Sequence, residues 1–98
     1  MEKTFLLGFI KIHILHHAAK GPIYGLWLIE ELKRHGYTMS PGTLYPILHS
    51  LEEEGLLKSQ EVLVEGKIRR NYVSTPQGKR ALKSVKEKIG ELVNEVLE

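Results

Sequence analysis

Apolar and polar positions along the 98-residue chain change their period several times, and each change marks an element. Over residues 4–19, Phe5, Leu6, Leu7, Phe9, Ile10, Ile12, Ile14 and Leu15 cover nearly the whole circumference of a helix. Such a helix needs burial on more than one side. The run KGPI at 20–23 breaks it. A second helix then carries Leu28, Ile29 and Leu32 as one buried stripe and stops at Gly36. Ser40 before Pro41 is a start signal, a capping hydroxyl ahead of the residue best tolerated at the first helical position. In this third helix Leu44, Ile47, Leu48 and Leu51 recur at i, i+3, i+4 and i+7 until Gly55. LLKSQEVLV at 56–64 and KIRRNYVST at 67–75 are β-prone runs joined by Glu65 and Gly66, a hairpin with a basic tip. Thr75 before Pro76 caps a last helix in which Leu82, Val85, Ile89, Leu92 and Val96 form a short heptad seam.

Three helices followed by a basic hairpin predict an α+β fold, mainly α, of the winged helix-turn-helix kind. The expected division is a DNA-binding unit at 1–75 and a C-terminal dimerisation helix at 76–98. In that arrangement the third helix enters the major groove and the hairpin reaches along the DNA backbone. Its apolar stripe faces the core, which leaves Gly42, Thr43, Tyr45, Pro46, His49 and Ser50 toward solvent. Small polar side chains there suit close approach to phosphates and bases. Pro46 has no N–H, so the helix either starts late or kinks at that point.

Length and composition narrow the possibilities further. A chain this short fills one core, and with no cysteine it gains no disulfide or thiolate metal site, which favours a second subunit as the source of stability. The apolar stretches are too short for a membrane span, and the N-terminal stretch carries lysines and histidines where a signal peptide stays apolar. A cytoplasmic protein with no membrane partner is expected. The formal charge of +2 hides an uneven distribution: residues 66–88 hold eight Lys or Arg against Glu87 alone. That segment attracts polyanions. Lys79, Arg80, Lys83, Lys86 and Lys88 read as the wet flank of the last helix. Glu52, Glu53 and Glu54 read as a solvated helix end. His13, His16 and His17 have a spacing that could hold a metal, but no neighbouring Cys or carboxylate in sequence completes a site, so helix packing is the expectation and neither metal nor cofactor is called for. Trp27 reads as core or interface filler. No nucleophile, base and orienting acid occur together, so an enzyme is not expected.

Three motifs carry a family resemblance. Tyr24-Gly25, SPGTLYPILHSLEEEGLL at 40–57 and GKIRRNY at 66–72 closely resemble the PadR family of transcriptional regulators, in its short form with a single C-terminal helix. The resemblance covers nearly the whole chain. It implies a dimeric winged-helix repressor of its own promoter or an adjacent operon, paired through the C-terminal helix. Carried over by position, Ser40, Gly42, Thr43, Tyr45 and Pro46 lie at the DNA surface with Lys67, Arg69 and Arg70 on the wing, and helical spacing adds His49. The wing departs from the family's usual Arg, Arg, Lys, Tyr, Tyr by having Lys67, Ile68, Arg69, Arg70, Asn71 and Tyr72. Its charge is kept, while Lys67 cannot grip phosphate bidentately. Relatives respond to phenolic acids or flat hydrophobic drugs, so a small hydrophobic or aromatic effector is an implied partner. Residues 76–98, however, contain no aromatic to stack on one. The rival reading is a winged-helix protein-interaction module that does not read DNA sequence.

Overall fold

A computed structural model describes residues 2–98 as α1 (Glu2–Lys20), β1 (Ile23–Tyr24), α2 (Gly25–Arg34), α3 (Pro41–Glu53), β2 (Leu57–Val64), β3 (Lys67–Ser74) and α4 (Pro76–Val96). Boundaries follow local chemistry. Gly36, at φ +90°, closes the turn after α2. Thr75 caps α4 by accepting the Gly78 N–H at 3.0 Å, and its own hydroxyl donates to the Gly55 carbonyl at 2.6 Å. One side chain thereby ties the start of α4 to the turn after α3. Glu65 and Gly66 both have positive φ, 50° and 78°, the tight turn whose twist suits a two-residue hairpin. Gly66 takes that conformation without the Cβ penalty.

The sheet holds one more strand than the hydrophobic pattern predicts. Its order is β1-β3-β2, antiparallel throughout, with Ile23 opposite Tyr72 and Tyr24 opposite Asn71. A two-residue strand is too short to show a period of two, and it forms because β3 offers a free edge to the chain leaving α1.

Ile10, Ile14, Leu15 and Ala18 of α1 meet Leu28 and Leu32 of α2 and Leu44, Leu48 and Leu51 of α3 in one core, closed by Ile23, Leu57, Tyr72 and Leu82. Leu82 departs from expectation. It is 6% exposed within its own protomer, so the first turns of α4 belong to this core and are not part of an outward-facing seam. The reason is that α4 starts at the end of β3 and lies back along α1 before it leaves the body. Val85 is half-buried, whereas Ile89, Leu92 and Val96 are exposed. α1 divides in the opposite sense, its N-terminal Phe5, Leu6, Leu7 and Phe9 being exposed. No helix among the described residues is long and apolar enough to cross a membrane.

Candidate nucleic-acid interface

With Leu44, Leu48 and Leu51 buried, α3 turns Pro41, Gly42, Thr43, Tyr45, Pro46, His49 and Ser50 outward. Ser40 stands at the N-cap with extended backbone, but it does not cap the helix through its side chain. Its hydroxyl is instead shared with Thr43 Oγ1 at 3.2 Å. No acidic residue occupies the first turn of α3, so the positive end of the helix dipole is uncompensated at the surface. The helix begins at Pro41 and contains Pro46. Thr43 and Leu44 both donate to the Ser40 carbonyl, at 3.1 and 3.0 Å, so the first turn closes without help from position 46. The missing N–H of Pro46 leaves the Gly42 carbonyl without its helical donor, on the exposed side.

Tyr45 is placed by a glycine. A Cβ on Gly25 would lie 2.7 Å from both Cε1 and Oη of Tyr45, so the bare backbone at the start of α2 is the floor on which that ring rests. The ring borders an open cleft between the α2 start and the wing, which Tyr24, Lys67, Arg69 and Arg70 also line. The two arginines leave β3 on opposite faces, as strand alternation requires. Arg69 stacks its guanidinium 3.8 Å above the Tyr24 ring. Arg70 donates to Ser59 Oγ at 3.4 Å and pairs with Glu61 at 3.6 Å. Lys67 is exposed beside the hairpin turn.

Behind Arg70 lies a contact that the sequence does not advertise. Glu52 accepts from both the backbone N–H and the hydroxyl of Ser59, at 2.9 and 2.6 Å. These hydrogen bonds, the Ser59 hydroxyl foremost, hold its carboxyl below the usual range. Glu52 is therefore not part of a solvated helix end. It fastens the last turn of α3 to β2 and so fixes the wing relative to the helix. Glu53 and Glu54 are exposed, as expected. Sequence spacing gave no signal for the Glu52–Ser59 contact, because it joins two elements across a turn. Tyr24 and Gly25 were legible only as a family motif.

Trp27, 39% exposed, meets His17 edge-on at 5.3 Å. His13 and His17 do not pack on apolar neighbours alone, because His35 at the end of α2 joins them.

Residues 14–84 match the model of the transcriptional regulator PadR-like family. The transcriptional regulator Rv3488 of Mycobacterium tuberculosis is 50% identical over 95 residues, covering 97% of this chain and 89% of that protein. A PadR-like transcription factor from Bacteroides fragilis has a solved structure similar at a TM-score of 0.85 and 28% identity, covering 97% of this chain and 93% of that one. A PadR family transcriptional regulator from Eggerthella lenta is similar at 0.80 and 32%, covering 91% and 79%. A winged helix with an open α3 start and a basic wing, matched by that family model over most of its length, belongs to the PadR-like family of transcriptional regulators, which are DNA-binding proteins and not enzymes.

Proposed function

We propose that the chain acts as a homodimeric repressor that binds a pseudo-palindromic operator, including one at its own promoter. The observation that carries this reading is a pair of exposed surfaces: one on α3 and the wing that presents Thr43, His49, Lys67 and Arg70 with Leu63 and Ile68 near the wing tip, and an apolar one on α1 and α4. Ser40, Gly42, Thr43, Tyr45, Pro46 and His49 face the groove, and Lys67, Arg69 and Arg70 face the phosphates. The uncompensated start of α3 supports phosphate contact, because backbone donors and the dipole both favour an anion there. Phe5 and Leu92, 58% and 60% exposed, mark an exposed apolar surface of the kind that a partner chain covers. A second copy covers it through Val85, Ile89, Leu92 and Val96, with the outer half of α1 beside them. Residues 1–75 then act as the DNA-binding unit, and 76–98 serve both the core and the dimer. Two α3 helices in such a dimer meet major-groove faces about 34 Å apart.

The test is fluorescence anisotropy with the DNA upstream of the gene and with a scrambled duplex, at low and near-physiological salt. Binding to the upstream duplex that outlasts the control as salt rises is the expected result. Arg70→Ala weakens every duplex and flattens the salt slope, and His49→Ala changes discrimination between sequences. Absence of binding at either salt would favour a protein-interaction module and sink the repressor reading.

A further inference from the structure

The contact between α1 and the end of α2 gathers more histidine than packing requires. His13 and His17 are one helical turn apart on one face of α1, and the chain reversal after α2 brings His35 against them. The His13 and His35 rings stack at 4.8 Å between centroids and 26° between planes. One nitrogen from each of His13, His17 and His35 lies within 4.8 Å of the others. Glu31 Oε2 is 3.4 Å from His17 Nε2 and 3.2 Å from His35 Nε2. We propose that His13, His17 and His35, with Glu31 as the fourth ligand, form a binding site for one divalent transition-metal ion of the zinc class.

The donor set selects the metal. Three imidazoles and one carboxylate, without thiolates, suit zinc and its neighbours and give little to calcium or magnesium, which take oxygen ligands. In a tetrahedral site with zinc about 2.0–2.1 Å from each donor, the donors stand roughly 3.3 Å apart. The two Glu31 contacts already have that spacing. The imidazole nitrogens must close by up to about 1.5 Å, a side-chain adjustment for which His35, 41% exposed, has room.

Protonation and second partners also fit. Burial, foremost, pushes the pKa of His13 and of His17 below 6.5, so their lone pairs are available at neutral pH. Arg34, foremost, and then His35 hold the Glu31 carboxyl down to about 2, which keeps it anionic. Arg34 Nε donates to Oε1 at 3.1 Å, on the oxygen away from the histidines, as an outer partner of a ligating carboxylate does. Its other contact, Nη2 to Oε2 at 3.1 Å, is the one that an ion would displace. The Arg34 side chain is 70% exposed and has room to yield. This site stands independently of the DNA-binding reading.

Isothermal titration of zinc chloride into the full chain, free of any polyhistidine tag, tests it. The expected result is one ion per chain. His17→Gln and His35→Gln then weaken binding by more than the ~10- to 100-fold that loss of an outer-shell partner costs. His16→Gln and His49→Gln, which alter the two histidines outside the cluster, leave it unchanged. Circular dichroism in chelator checks that the variants fold, and His35→Gln, at an exposed helix end, carries the test if His17→Gln does not. No binding, or equal losses in all four variants, overturns the site.

Discussion

Replacing Gly25 by alanine tests whether DNA contact depends on the glycine that faces α3. The new Cβ would stand 2.7 Å from Tyr45 Cε1 and Oη and 3.0 Å from Cζ. Carbon contacts relax only near 3.5–4.0 Å, so the ring must retreat by about 1 Å. It can do so because Tyr45 is 39% exposed, whereas Leu44 and Leu48 hold the α3 backbone in the core. The fold therefore loses little: roughly 0.5–1.5 kcal/mol of rotamer strain is set against the ~0.4–1 kcal/mol that alanine gains over glycine through the unfolded chain. Recognition loses more. If Tyr45 contacts DNA as proposed, a hydrogen bond from its hydroxyl to a phosphate, near 2.8 Å, would stretch beyond about 3.6 Å and cease to be one. Bonds to charged partners contribute about 1.5–3 kcal/mol, which is roughly 10- to 150-fold in Kd. Gly25→Ala should thus keep its unfolding free energy within about 1 kcal/mol of the parent while its affinity for the upstream duplex falls at least tenfold. Tyr45→Phe should lose a similar amount, and the double variant hardly more than either single one. Anisotropy titrations and urea denaturation read both quantities. Unchanged affinity in Gly25→Ala, or losses that simply add in the double variant, would refute the placement of Tyr45 by Gly25.

Three further outcomes are expected. Ile89→Lys sets a charge into the apolar face of α4 and should yield monomers in sedimentation velocity with weak duplex binding, and a dimer that survives it would remove Ile89 from the interface. Glu52→Ala should cost about 1–3 kcal/mol in urea denaturation, because the Ser59 N–H and hydroxyl lose a charged acceptor. In the parent protein that contribution disappears as pH falls below 4.5 toward the lowered carboxyl pKa, and Glu52→Ala should lack that part of the acid profile. In chelator, stability should also drop earlier, as pH falls below 6.5. The folded chain holds His13 and His17 below that value, facing His35, His16, Glu31 and Lys20, so the unfolded chain takes up protons first. A His13→Gln, His17→Gln double variant with an unflattened pH profile between 7.5 and 5.5 would count against this assignment.

What the sequence determined was whatever a few neighbouring residues specify among themselves. The i, i+3, i+4 stripe of α3, the Glu65-Gly66 turn and the Thr75 cap are local devices, and each appears where the pattern puts it. Motif resemblance added the family, because SPGTLYP is long enough to be distinctive. Ser40 marks the limit of such reasoning: it stands at the N-cap, yet its hydroxyl found Thr43 instead of a backbone donor. Only the tertiary structure decided which side chains meet across elements. The β1 pairing with β3, the place of Leu82 in the core, the Glu52–Ser59 tie and the meeting of His35 and Glu31 with the α1 histidines all depend on elements docking. Periodicity records which face of an element is apolar. It does not record which neighbour that face will meet, because docking is fixed by shape, volume and hydrogen-bond satisfaction summed over the whole core.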